Sequence, residues 1–296
     1  MTDLAHRADL SPTSGSMAPT GPTTGPEPAG LVRPVVRQPV PRRRPVTLAL
    51  RVLVPIGIFG LWWLLTGTGA IGPTTLSSPS VTWSTMITLF AHQNLLGDIG
   101  ISLARAAVGL AIGGTIGLLL GIVTGLWRLG EELLDSSLQM LRMVPFPAVI
   151  FLFIVWFGIG ETAKVALIAL ATLFPMYLNT ANGVRNVDRK VVEAARSFGL
   201  RGRHLVRQVI IPLAMPSILT GLRFSTGISI IALVFAETIN ANQGIGYLVS
   251  EASSFNNTPN LVVCIILYAL LGIGADALVR ILERTLMPWR RQVAVR

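Results

Sequence analysis

From Ala106 to Trp127 the chain runs without one charged side chain, bounded by Arg105 and Arg128. A hydrocarbon core of about 30 Å is crossed by about 20 apolar residues in a helix, and only helices and closed barrels satisfy their backbone groups there. Further charge-free intervals follow Arg51 (52–71), separate Arg142 from Glu161 (143–160) and separate Lys164 from Arg185 (165–184). A fifth span runs from about Pro216 to Ala236 with Arg223 inside it, and a sixth from about Pro259 to Val279 with Asp276 near its end. The expectation is an all-α integral membrane protein with about six transmembrane helices. A composition of 51% hydrophobic and 13% charged residues is too apolar for a soluble fold of 296 residues.

Lys and Arg are retained on the cytoplasmic side of a membrane, so their distribution predicts orientation. Residues 1–51 carry seven Arg, residues 185–207 carry seven Lys or Arg, residues 280–296 carry five Arg, and the segment 128–142 contributes Arg128 and Arg142. The alternate loops hold only Arg105 and Lys164, both read as helix ends. Both termini and the loop 185–215 are therefore expected in the cytoplasm, with the chain a multi-pass membrane protein. The net charge of +10 follows from that topology and needs no nucleic-acid partner.

The chain divides into a tail over 1–45, a transmembrane domain over 46–290 and a short cytoplasmic tail over 291–296. The first of these holds nine of the 19 Pro and is expected to be disordered and cytoplasmic. The run Arg42–Arg44 reads as a stop against translocation, and the first span as a retained helix without a cleavage site.

Catalysis finds no candidate constellation. Cys264 is the sole cysteine, and His6, His92 and His204 are scattered without metal-ligand spacing. No G-x-S-x-G elbow, H-E-x-x-H pair or G-x-x-x-x-G-K-[ST] phosphate loop occurs, so no catalytic residue, metal or bound cofactor is expected.

The Arg-rich loop has a shape of its own. Asp188 is a helix N-cap, and "RKVVEAARSF" places Val191, Ala195 and Phe198 on one face. Gly199 is a left-handed terminator, and "RHLVRQVII" resumes helical spacing before Pro212. Three readings of this helix, turn and helix compete: a DNA-binding helix-turn-helix, which lacks a third helix for its core; a solvated loop; and a docking element that seats a small apolar face in another protein.

Glu193, Ala194 and Ala195, then Gly199, then Val209, Ile211 and Pro212 resemble the "EAA, three residues, G, nine residues, I-x-L-P" signature of permease subunits of bacterial ABC importers. Val and Ile stand for the Ile and Leu of that pattern. The resemblance covers roughly residues 50–290 and implies a type I importer permease fold. It implies that this loop seats in a separate ATPase subunit and transmits its closure, with Glu193, Ala194, Ala195, Gly199 and Pro212 as the coupling positions. "LLDSSLQMLRMVPFPAV", "WFGIGE", "LFPMYLNTANGVRNVD", "AETINANQGIGYL" and "IILYALLGIGAD" are similar to the subgroup that imports aliphatic sulfonates, taurine or nitrate. The partners so implied are two ATPase subunits that bind the ATP, a second permease copy and an extracytoplasmic solute-binding protein.

Other residues carry physical readings of their own. Gly109, Gly113, Gly117, Gly121 and Gly125 form a stripe along one helix face, suited to close packing within the chain or against a second copy. Arg223, two turns into the fifth span, either snorkels to the cytoplasmic surface or faces the solute pathway. Asp276 and Arg280, spaced i, i+4, read as an interfacial ion pair. Glu237 opens "ETINANQGIGYLVS", whose polar and Gly-rich character suits an outer gate, a seat for the binding protein or a plain connection. The stretch Ser80–Phe90 reads as an amphipathic helix on the membrane surface, with Trp83 at headgroup level.

The function expected is a non-catalytic permease subunit of an ATP-driven importer, for aliphatic sulfonates or taurine. The alternatives are another small solute such as nitrate or, in a different class, an ATP-independent secondary transporter or channel.

Overall fold

The computed structural model describes residues 45–127, 140 and 143–287. The expectations for the tail over 1–44, for Arg42–Arg44, for Arg128 and Arg142 and for residues 291–296 lie outside the described residues. Residues from Leu53 onward group as one compact unit, and the packing below is that unit's.

The chain forms α1 (Pro45–Gly67), α2 (Pro79–His92), α3 (Leu95–Leu126), α4 (Phe146–Phe157), α5 (Glu161–Arg185), α6 (Arg189–Ser197) and α7 (Gly202–Leu205). A π-helical turn (Val206–Ile210) leads into α8 (Ile211–Asn240), followed by α9 (Ile245–Ser254) and α10 (Thr258–Leu286). No strand occurs among the described residues. Four helical stretches are long and apolar enough to cross a membrane: Leu95–Leu126, Glu161–Arg185, Gly202–Ile239 and Thr258–Leu286. Leu53–Gly67 and Pro147–Phe157 are shorter apolar helices.

Helix α5 is the centre of the unit, flanked by α3 and α8. Small residues make both approaches close. On the α3 side, a Cβ built at Gly109 would stand 2.5 Å from Ile168 Cγ2, one at Gly121 2.6 Å from Thr180 Cβ, and one at Gly125 2.7 Å from Val184 Cβ. Gly113 and Gly117 lie against the α5 backbone at Ala169 and Leu173. On the α8 side, Gly183 meets Ser217, and Gly221 meets Asn179. Hydroxyls bridge the same seams: Ser225 Oγ donates to the Thr172 carbonyl at 2.8 Å, and Thr172 Oγ1 lies 3.4 Å from the Gly109 carbonyl. A second apolar cluster of Leu89, Leu95, Ile245, Leu248, Val263, Cys264 and Leu267 joins α2, α3, α9 and α10. Outside these seams α1 and α10 present large apolar side chains, Leu61, Trp63, Ile265 and Ile273 among them, as lipid-facing helices do.

The spans differ at their boundaries from the sequence reading, the first lying at Pro45–Gly67 and the sixth running on to Leu286, and three further differences have physical causes. The helix read as 106–127 begins at Leu95, so Arg105 is not at a helix end but about 15 Å inside α3. It is buried there because acidic partners meet it. The second half of the Arg-rich loop and the fifth span are one continuous helix from Gly202 to Ile239. Pro212 has no N–H to give, and it follows a widened turn in which Ile211 N–H bonds the Val206 carbonyl. The interval 143–160 yields only the 12-residue α4, about 18 Å long, bounded by Pro145 and by Gly158 at φ +77°. Ile150 of α4 is buried against Leu167 of α5 and Ala236 of α8.

The candidate coupling helix and a buried charge cluster

The helix α6 is set by local chemistry. Asp188 accepts the Lys190 N–H at 2.9 Å as its N-cap. At the other end Gly199, at φ +89°, bonds the Arg196 carbonyl at 2.9 Å, and Leu200 N–H bonds the Ala195 carbonyl at 3.1 Å. This pair of bonds is a Schellman termination, which a residue with a side chain disfavours at the left-handed position. Ala195 is buried toward the rest of the chain, while Glu193, Ala194 and Gly199 are exposed. The helical period puts Val191 and Phe198 on one face with Ala195, yet Val191 is exposed and Phe198 is 88% exposed. The helical period holds as far as Phe198, whose N–H bonds the Ala194 carbonyl at 3.2 Å, but of the three residues only Ala195 is buried. The sequence on either side of Phe198 carries the exposed cations Arg189, Lys190, Arg196, Arg201 and Arg203. Pro212 is half-buried at the start of α8.

At the opposite end of α5, about 36 Å away by helix length, lies a cluster that the sequence reading missed. Arg105 of α3 donates Nε to Glu161 Oε2 at 2.6 Å and Nη2 to Glu161 Oε1 at 2.7 Å. Its Nη1 donates to Glu237 Oε1 at 2.8 Å and to the Gln243 carbonyl at 2.7 Å. Lys164 Nζ reaches Glu161 Oε1 at 2.8 Å. Glu237 also accepts from Ser102 Oγ at 2.8 Å and from the Gly246 N–H at 2.9 Å. Ser102 in turn accepts the Ile245 N–H, and Asp98 accepts the Gly244 N–H at 2.7 Å. The bonds tie α3, α5, α8 and α9 together. Arg105, Lys164 and Glu237 are buried, whereas the Glu161 side chain is 60% exposed. Glu161 closes one wall of a cavity of about 330 Å³ shared with Ile159, Gly160, Asn242 and Gln243.

The polar, Gly-rich segment that Glu237 opens reads in the sequence as an outer gate, a seat for the binding protein or a plain connection. Glu237 itself is fully buried, and the residues after it form the turn and α9 around its carboxylate. Three donors, Ser102 Oγ, Arg105 Nη1 and the Gly246 N–H, fix it, so it is a structural anchor of this end of the fold. Arg223 stands on α8 and is half-exposed. Its Nη2 bonds Glu283 Oε2 at 2.8 Å, and its Nε lies 3.3 Å from Asp276 Oδ1. Asp276 also takes Arg280 Nε at 2.7 Å, so the i, i+4 pair exists and is widened into a group of four joining α8 to α10. The five glycines of α3 face α5 of the same chain. Ser80–Phe90 lies within α2, capped by Ser78, and Trp83 is exposed.

The fold and its loop define a multi-helix membrane protein whose Arg-rich segment projects a capped helix. The chain belongs to the family of binding-protein-dependent transport system inner membrane components, whose model matches residues 113–288. It is therefore an all-α, multi-pass inner-membrane permease subunit of an ABC importer, and non-catalytic. Among its relatives is SsuC of Escherichia coli (strain K12), described as an aliphatic sulfonates transport permease protein. The two are 50% identical over 80% of this chain and 90% of that protein. SsuC of Bacillus subtilis (strain 168), with the same description, is 41% identical over 81% of this chain and 87% of that one. The taurine transport system permease protein TauC of Escherichia coli (strain K12) is 33% identical over 86% and 93%. Of solved structures, the crystal structure of an amino acid ABC transporter with histidines matches the fold with a TM-score of 0.56 at 20% identity, covering 67% of this chain and 97% of that one.

Proposed function

We propose that the chain is the permease of an importer for aliphatic sulfonates, with taurine within its range. It works as two copies with two separate ATPase subunits and an extracytoplasmic binding protein. The observation that carries the substrate class is the 50% identity to SsuC over 90% of that protein. A sulfonate is ionised at any physiological pH, so it needs a protein-lined route across the hydrocarbon.

In this reading the chain crosses the membrane six times, α1 and α4 completing the four long spans, with both termini and α6 in the cytoplasm. The exposed tip of α6 docks in the ATPase subunit. Glu193, Ala194, Ala195 and Gly199 shape that tip, and Pro212 begins the helix that carries its movement into the membrane. Because the π turn leaves α7 and α8 continuous, a push on the tip is delivered along one rod to Glu237 at its far end.

The test is growth of a strain lacking this gene and any redundant importer, on alkanesulfonates or taurine as sole sulfur source with sulfate as control. Loss of growth on sulfonates, restored by the gene, is the expected result. Unchanged growth would pass the assignment to nitrate or another solute. Uptake by the purified chain alone, under an ion gradient, would overturn the ATP-driven reading itself.

A further inference from the structure

We propose that Arg105 and Lys164 form a binding site for the sulfonate headgroup within the permease, and that the Glu161 carboxylate is a resident counterion which the headgroup displaces. The inference rests on the sulfonate reading above and deepens it by naming where the permease itself holds the anion.

The two carboxylates on Arg105 are not equivalent. Glu237 is wholly buried and accepts from Ser102, from the Gly246 N–H and from Arg105 Nη1. Removing it would strand all of these donors. Glu161 has the opposite character: its side chain is 60% exposed at the cavity wall and is held by two cations, Arg105 and Lys164. An incoming anion can replace it without leaving a neutral donor unsatisfied, and the released carboxylate, at the first residue of α5, can turn to water.

The donor geometry suits a tetrahedral anion. Arg105 offers Glu161 the Nε and Nη2 edge of its guanidinium, which matches two oxygens of one group. Lys164 must share Glu161 Oε1 with Nη2, because a carboxylate has only two oxygens. A sulfonate has three, enough for the two guanidinium donors and the ammonium to take one each. The charge also closes. With Glu161 displaced, Arg105 and Lys164 carry two positive charges against the single negative charge of Glu237, and the sulfonate supplies the other. Burial of both cations to 6% and 4% exposure makes that attraction less screened than at an open surface. The cavity of about 330 Å³ in front of them lies at the lower end of ligand-pocket sizes and fits a small alkanesulfonate. Its remaining wall, Ile159, Asn242 and Gln243, offers both apolar and polar surface to the tail.

The experiment uses the permease complexed with its ATPase subunits in detergent, without binding protein, and measures equilibrium binding of radiolabelled ethanesulfonate. Glu161→Gln removes the competing charge and should tighten binding about tenfold, the scale of one charge-assisted contact. Adding Lys164→Gln to that variant should abolish the gain, while adding Lys164→Arg, which keeps the cation and the fold, should retain most of it. In parallel, wild-type complex with binding protein is assayed for ethanesulfonate uptake in vesicles. Wild-type uptake together with a Glu161→Gln complex that binds no tighter overturns the site and leaves the sulfonate reading standing. Absence of both uptake and ethanesulfonate binding, with nitrate or inorganic sulfate bound in the same Glu161- and Lys164-dependent way, overturns the sulfonate reading and keeps the anion site. Binding that ignores Lys164 overturns the site whichever anion is used.

Discussion

Arg105 and Glu237 are 132 residues apart in sequence and 2.8 Å apart in the fold, both buried, joining α3 to α8 at the end of α5 opposite α6. Ion pairs of this kind contribute little beyond a well-packed apolar pair, yet losing one partner is costly because the other charge stays buried. Glu237→Ala should therefore destabilise the detergent-extracted chain by about 3–5 kcal/mol. Glu237→Gln keeps one carbonyl acceptor for Ser102 or Gly246 and should cost less, about 1–3 kcal/mol. Thermal unfolding followed by size-exclusion recovery measures both, and equal recovery of Glu237→Ala and wild type would sink the anchor role.

The glycines of α3 are not interchangeable. A Cβ at Gly121 would lie 2.6 Å from Thr180 Cβ and 2.8 Å from the Tyr177 carbonyl, and the latter is backbone that cannot rotate away. Gly121→Leu should separate α3 from α5 and reduce folded yield, at a cost of about 1–3 kcal/mol or more. Gly114 on the same helix has no atom within 4 Å of its built Cβ. Gly114→Ala should be tolerated and gain up to about 1 kcal/mol of helix propensity. A parallel melting series of the two variants tests the contrast, which disappears if the stripe serves only a second copy.

How much of this could be read from the sequence depends on the range of the interaction. Asp188 and Gly199 act on neighbours two to five residues away, so α6 and its termination were legible as local patterns. The glycine stripe was legible because a period of four marks one helix face. The charge cluster was not legible, because each member was used to mark the end of a span. Arg105 meets Glu161 and Glu237 from 56 and 132 residues away, and no local period encodes such a pairing. The available signal was compositional: among the segments with few cations, 95–105 and 161–164 each hold charges of both signs and 237–251 holds two Glu. Opposite charges at one end of several apolar helices are cheapest when they meet.

Gly199 tests the coupling reading through backbone conformation alone. At φ +89°, with no atom within 4 Å of a built Cβ, it is constrained by conformation and not by space. A left-handed conformation costs a residue with a Cβ about 1–2 kcal/mol, least for Asn. Gly199→Val should leave the membrane helices assembled while solute uptake per ATP hydrolysed falls, and Gly199→Asn should restore much of it. Uptake and ATPase rates measured in the same vesicles give the ratio. An unchanged ratio in an assembled Gly199→Val complex would separate this turn from coupling.

Phe198 offers the sharpest test of docking. An aromatic ring 88% exposed, at the end of a helix whose neighbours are Arg and Lys, gains nothing from its position within the chain. Its removal should change stability by no more than about 0.5 kcal/mol, the usual range for a surface substitution. A buried aromatic anchor in an interface is worth about 2 kcal/mol or more, roughly thirtyfold in affinity. Phe198→Ala should thus leave the melting curve of the chain unchanged while the ATPase subunits fall away from the purified complex on dilution. Phe198→Leu, which keeps an apolar side chain of smaller size, should retain an intermediate share. Native mass measurement across a dilution series reads the loss directly. Wild-type recovery of the ATPase subunits with Phe198→Ala would move the docking surface to the cationic face of α6, where Arg189, Lys190 and Arg196 become the residues to neutralise.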